Sequence, residues 1–249
     1  MIHRYFIDIA FKGTEYHGWQ KQPNAISVQQ KIEEALAILL RQHVDTVGCG
    51  RTDTGVHASQ LYVQFDTSTD VSGDKFLWNL NSLLPYDIVV LRIIKVEKDA
   101  HARFDATSRT YKYRLGFKKN PFENEISAIF PKILDFELMN EACKELVKHN
   151  DFAAFSKSGA EHHTSLCEIS GAIWKQEGDI WVFTITANRF LRNMVRAIVG
   201  TLVEVGLKKI NLSQFNKIID SKNRSNAGTS VPAKGLFLHE VEYPYIKKR

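Results

Sequence analysis

The chain has little cysteine: 3 residues among 249, at positions 49, 143 and 167. They are odd in number, far apart and form no CxxC pair. That excludes a disulfide framework and points away from a zinc site. His162 and His163 are adjacent, but no second ligand cluster lies near them. The pair therefore reads as a solvated loop rather than a metal centre. Long hydrophobic runs are also missing: stretches such as Ile88 to Leu91 fall far short of the roughly 18 to 20 apolar residues of a membrane span. The opening MIHRYFIDIA alternates like a strand and lacks the apolar core and cleavage site of a signal peptide. A cytoplasmic chain with no membrane partner is the expectation.

What is present is ordinary for a globular protein, with 44% hydrophobic and 24% charged residues. That is enough to build a sizeable core. The length corresponds to about 1.7 domains on the usual prior, which allows two small domains or one large one. The net charge of +5 is unevenly placed. Residues 1–105 carry 11 basic and 13 acidic side chains, whereas residues 106–249 carry 22 and 15. Between Arg103 and Lys119 six basic residues face one acid, Asp105, with Tyr111, Tyr113 and Phe117 interleaved. Arg189, Arg192, Arg196, Lys208 and Lys209 make a second basic stretch, and the chain ends Lys247-Lys248-Arg249. A basic surface with aromatic interleaving suits a polyanion such as nucleic acid; a solvated cationic face is the plain alternative.

Hydrophobic period predicts the same order of elements twice. In the first half a strand covers 3–11, with Tyr5, Ile7, Ile9 and Phe11 on one face. Ser27 opens a helix, with Gln30 completing a capping-box pattern. Val28, Ile32, Ala35, Leu36, Leu39 and Leu40 form its apolar stripe. Strands near 44–49 and 58–66, a helix near 73–84 stopped by Pro85, and a strand over 87–97 follow. In the second half the predicted order is a strand at 107–117, a helix capped by Asp135 and reaching about 149, and strands at 166–175 and 180–187 flanking Glu177-Gly178-Asp179. Helices at 190–205 and 212–220 and a last strand at 235–243 complete it. Both halves read β-α-β-β-α-β. The expected fold is α+β: two ferredoxin-like halves sharing a mixed, mainly antiparallel sheet, divided as 1–105 and 106–249 with the linker near 98–106.

One segment departs from the core-and-surface pattern: Gly48-Cys49-Gly50-Arg51-Thr52-Asp53-Thr54-Gly55-Val56-His57. Three glycines in eight residues permit close backbone approaches that side chains would block. A loop held this way between two strands can aim a carboxylate into a cleft. The glycine spacing is not that of a dinucleotide fingerprint, and the GK[ST] ending of a P-loop is absent. The alternative is a sharp hairpin in which Asp53 only caps backbone amides.

GRTDTGVHA strongly resembles the catalytic loop of the tRNA pseudouridine synthase A family, usually written GRTDAGVHA. Residues 13–22, GTEYHGWQKQ, are similar to that family's early G-x-x-Y-x-G-W-Q-x-Q loop. His101-Ala102-Arg103-Phe104, then Arg109-Thr110-Tyr111-Lys112-Tyr113, resemble its HARF and R-x-Y-x-Y segments. Further blocks are Asp151-Phe152 with Phe155, Phe190-Leu191 with Met194-Val195-Arg196 and Ile198-Val199-Gly200, and Gly235-Leu236 with Leu238. They occur in family order across nearly the whole chain. Thr54 departs from the usual Ala, adding only a small hydroxyl side chain.

The resemblance implies conversion of uridine to pseudouridine at positions 38, 39 and 40 of the tRNA anticodon stem-loop, by a homodimer with a central basic cleft. The N1–C1′ bond breaks, the base turns, and C5 joins C1′. No redox change occurs, so no cofactor and no metal are expected. By the same resemblance Asp53 is the catalytic carboxylate, as nucleophile or as base toward the ribose, and must be ionised. Arg196 is its guanidinium partner, which cannot lose its own proton. Tyr111 packs on the target base, and Arg51 helps hold the everted nucleotide, whose extrusion costs a few kcal/mol. Arg189, Arg192 and Arg196 recur at steps of three and four, which predicts one stripe of the 190–205 helix. Arg189, Arg192, Arg109 and Lys112 are candidate RNA contacts. Tyr113 reads as a core aromatic, and His57 as a residue that braces the loop. The loop of Tyr16, Trp19 and Gln20 either contacts RNA or forms a lid over the first helix. The stretch 119–132 is a candidate mobile or dimer-contact segment. Three other readings compete: a same-fold synthase acting on another RNA, a non-catalytic RNA-binding protein, and a carboxylate hydrolase. A hydrolase lacks a second acid in a comparable glycine-braced motif.

Overall fold

Strand β1 (His3–Phe11) organises the first unit. Its alternation predicts one apolar face, and Tyr5, Ile7 and Ile9 are fully buried. The other face is buried as well, since Phe6 and Asp8 also have no exposure. The reason is position. β1 lies between β3 (His57–Thr67) and β4 (Ile88–Val96), antiparallel to both. The C-terminal residues cover its second face, where Tyr243 meets Phe6 and Tyr62 edge-on at 5.6 and 5.1 Å. The tyrosine hydroxyl donates to the Ala102 carbonyl at 2.5 Å. The computed structural model describes residues 1–157, 159 and 164–248. His162, His163 and Arg249 lie outside them.

Helix α1 (Val28–Leu40) starts where Ser27 accepts a hydrogen bond from the Gln30 amide at 3.3 Å. Only half of the expected capping box forms, because the Gln30 side chain turns to Glu34. Val28, Ile32, Ala35 and Leu36 are buried as the stripe predicts, while Leu39 and Leu40 are half-buried. The strand expected at 44–49 shrinks to β2 (Val47–Gly48), pairing with β3 at Gln64 and Val63. Helix α2 (Asp74–Leu83) precedes β4.

Two compact units make up the chain: 1–107 with 237–249, and 108–236. The second contains β5 (Ser108–Gly116), β6 (Ala128–Ile129), α3 (Phe136–Leu146), β7 (Ile169–Glu177), β8 (Ile180–Ala187), α4 (Met194–Gly206) and α5 (Leu212–Asp220). β8 runs antiparallel to both β5 and β7, and β6 runs parallel to β5. Gly178 makes the β7–β8 turn with φ 61°. Asp135 caps α3 through the Leu138 amide at 3.0 Å, as expected, but α3 ends at Leu146 rather than near 149. Its Phe136 stacks on Trp181 at 3.7 Å and meets Trp174 edge-on. A complete capping box does occur, between Asn211 and Gln214 at α5.

The final strand is β9 (Leu236–Glu242). It returns to the first unit and pairs in parallel with β3, His57 opposite Phe237 and Ala58 opposite Leu238. Residue period carries no information about such a partner. Both units are α+β: β3–β9 and β5–β6 pair in parallel, while β1–β3, β1–β4, β2–β3, β5–β8 and β7–β8 pair antiparallel. Among the described residues no helix is long and apolar enough to cross a membrane.

Candidate active site

Asp53 sits at the start of a tight turn closed by the Val56 amide donating to its carbonyl at 3.1 Å. Gly55, third in that turn, has φ 75°, a region that favours glycine. The loop 13–22 is braided against this turn. The Gly55 amide donates to the Tyr16 carbonyl at 3.2 Å, and the Trp19 amide to the Thr52 carbonyl at 3.4 Å. Gly18, at φ 89°, passes so near that a methyl group there would stand 2.3 Å from the Thr52 oxygen. One on Gly13 would stand 2.0 Å from the Val56 oxygen. Gly13 and Gly18 are thus sites where the backbone of the 13–22 loop touches that of residues 52–56.

Side chains complete the brace. His57 is fully buried, accepts the Gly13 amide on Nδ1 at 2.9 Å, and stacks on Phe237 at 4.6 Å. Its bracing role is structural fact. Trp19 and Tyr16 are buried too, so this loop is a packed lid. The Trp19 indole fills the space over Gly48, and its carbonyl accepts the Gln29 amide in the first turn of α1. Tyr16 donates to Asp87 at 2.7 Å, and burial together with that carboxylate pushes its phenol far up. Gln20 donates to Gln29 at 2.8 Å. The result is a rigid frame around a half-buried Asp53, with Arg51 exposed beside it.

In the second unit Tyr111 lies half-buried on β5, edge-on to Phe190 at 5.0 Å. Tyr113 is a core aromatic with no exposure, donating to the Pro232 carbonyl at 3.0 Å. Lys112 is half-buried between them in sequence, and Arg109 donates to the Asn188 carbonyl at 2.9 Å. Arg196 stands in the first turn of α4, its Nε donating to the Val231 carbonyl at 2.8 Å. The expected stripe of three arginines on one helix is not formed. α4 begins only at Met194, after Asn193 takes φ 65°, so Arg189 and Arg192 precede the helix. Arg192 is exposed, and Arg189 donates to the Thr164 carbonyl at 3.3 Å. Met194, Ile198 and Leu202 do face the core.

Among the described residues no group of three or more His, Cys, Asp or Glu could hold a metal ion. Burial pushes the Cys167 thiol up to about 11 and the Cys143 thiol up to about 12, so neither is a ready thiolate. The segment 224–231, which grips Arg196, has no counterpart in the sequence reading. Its composition, RSNAGTSV, signals only a loop.

A sequence model of a family described as tRNA pseudouridine synthase matches residues 142–244, which sets the class of protein. Curated relatives extend the match to nearly the whole chain. The tRNA pseudouridine synthase A of Parabacteroides distasonis is 54% identical over 98% of this chain and 97% of its own length. That of Bacteroides fragilis is 51% identical over 98% and 97%. That of Acetivibrio thermocellus is 42% identical over 94% and 97%. This chain belongs to the tRNA pseudouridine synthase A family.

Proposed function

We propose that this chain isomerises uridine to pseudouridine at positions 38, 39 and 40 of the tRNA anticodon stem-loop, with Asp53 as its catalytic carboxylate. Pseudouridine formation in tRNA follows from family membership; the positions and the residue roles are the proposal. One observation supports Asp53 above any other acid. It is carried on a turn whose flanking backbone is bound from both sides by the 13–22 loop, with His57 fixed beneath. Such preorganisation is what a positioned reacting group requires.

Asp53 acts on the ribose as nucleophile or base while the N1–C1′ bond breaks; C5 then bonds to C1′, and the proton that C5 loses is matched by one gained at N1. Oxidation states do not change, so the rearrangement needs no redox cofactor. Tyr111 offers a flat face to the detached uracil, Arg51 holds the extruded nucleotide, and Arg196 presents its guanidinium to the reacting nucleotide. Arg189, Arg192, Arg109 and Lys112 contact phosphate. The strand order β4-β1-β3, with β2 paired to β3, supports reading the first unit as a ferredoxin-like half. We further propose a homodimer working in the cytoplasm.

The decisive experiment incubates the purified protein with unmodified tRNA and EDTA, without cofactor, and maps pseudouridine by chemical labelling. Label at 38 to 40 is expected. Label elsewhere would favour a same-fold synthase with another target, and none at all would overturn the proposal.

A further inference from the structure

We propose that residues 224–231 form a strap that positions Arg196, with Ser230 and Asn193 as positioning residues. This rests on the reading of Arg196 as a substrate-binding group. The observations lie within one unit and converge on one side chain. Asn193, just ahead of α4, takes the left-handed conformation and makes no side-chain cap to its own helix. Its Nδ2 donates to the Ser230 hydroxyl at 2.7 Å instead. Arg224 donates to the same oxygen at 2.9 Å and to the Ala227 carbonyl at 3.2 Å. A hydroxyl has two acceptor lone pairs, and here both donors use them.

The next residue closes on Arg196 in both directions. The Val231 amide donates to the Arg196 carbonyl at 3.2 Å, and the Val231 carbonyl accepts Arg196 Nε at 2.8 Å. Further back, the Gly228 amide donates to the Thr201 hydroxyl at 2.9 Å. A methyl group on Gly200 would lie 1.9 Å from the Thr229 oxygen, so strap and helix are in direct backbone contact. Beyond Val231, the Pro232 carbonyl takes the Tyr113 hydroxyl from β5. The strap is thereby fixed at the start of α4, along α4 and on β5.

The consequence for chemistry follows from the guanidinium itself. Its five N–H groups lie in one rigid plane, so binding Nε to Val231 sets the direction in which the two Nη groups point. Misplacing a catalytic group by about 1 Å costs on the order of 100-fold in rate. Loosening Ser230 therefore acts on the reaction through Arg196 while touching no substrate.

The test compares Ser230→Ala, Asn193→Gly (which suits the positive φ), Arg196→Lys, and the Ser230→Ala/Arg196→Lys double variant. Readouts are single-turnover pseudouridine formation on unmodified tRNA, tRNA affinity and melting temperature. Ser230→Ala and Asn193→Gly are expected to slow the reaction about tenfold, with affinity within about twofold of the parent. Ser230→Thr, which keeps the hydroxyl, is expected to recover most of the rate. In the Arg196→Lys background Ser230→Ala is expected to cost nothing more. Parental rates for both strap variants beside a crippled Arg196→Lys overturn the strap alone, as does an equal loss in both backgrounds. A parental rate for Arg196→Lys removes Arg196 from the site and overturns both readings.

Discussion

The proposed function rests the reaction on a single carboxylate, and the physical demand on it is position together with charge. Asp53→Asn keeps the shape and removes the charge. It is expected to lower single-turnover pseudouridine formation by about three orders of magnitude or more, while tRNA affinity in a filter-binding assay stays within about twofold. Residual turnover near the parental rate would dismiss Asp53. Arg196→Lys is expected to lose about 100-fold, because an ammonium cannot hold the Val231 carbonyl and present a planar fork together; rapid-quench kinetics check this. The loop around Asp53 stood out by its glycines: Gly55 turns the chain at φ 75°, and Gly48 leaves room for the Trp19 indole. Arg189 and Arg192 were misplaced because one residue, Asn193 at φ 65°, starts the helix later than its hydrophobic period suggests.

At the scale of elements, the Asp53 loop depends on its neighbour. Gly18→Ala would force a methyl group toward the Thr52 carbonyl at a backbone angle that disfavours alanine. It is expected to destabilise the protein by about 1–3 kcal/mol in urea denaturation and to depress activity with it. A second polar device lies under β1. Buried Asp8 accepts Gln60 and Arg92 at 3.0 Å each, and Arg92 also donates to Tyr62 and to the Lys247 carbonyl. Arg92→Leu would leave a buried carboxylate without its guanidinium and is expected to cost about 3 kcal/mol, read as a lower urea midpoint with an unchanged slope. Long periodic elements such as β1, α1 and β8 were readable because each buries a face of its own. The shortness of β2 and the second buried face of β1 were not, since both are set by β3, β4 and the C-terminal residues.

Across the whole molecule, the uneven placement of charge sets an expectation for the encounter with RNA. With 22 basic and 15 acidic side chains beyond residue 105, tRNA binding is expected to weaken as salt rises. If Arg109, Lys112, Arg189 and Arg192 each neutralise a phosphate, log Kd against log salt has a slope of about 3 to 4 in magnitude. Arg192→Ala is expected to reduce that slope by about 1 across all tRNA sequences. Titrations at several salt concentrations decide it, and a salt-independent Kd would remove these residues from the interface.

Composition and periodicity by themselves determined the α+β class and most of the elements, and the resemblance of short motifs pointed to the family and to the glycine-rich loop around Asp53. Those are properties of neighbouring residues and of short repeats along the chain. Tertiary structure alone decided that β9 pairs in parallel with β3, that His57 and Gly13 lock two loops together, and that residues 224–231 hold Arg196. Each of these joins groups separated by tens of residues or more, and their meeting depends on how the whole chain closes, which no local pattern encodes.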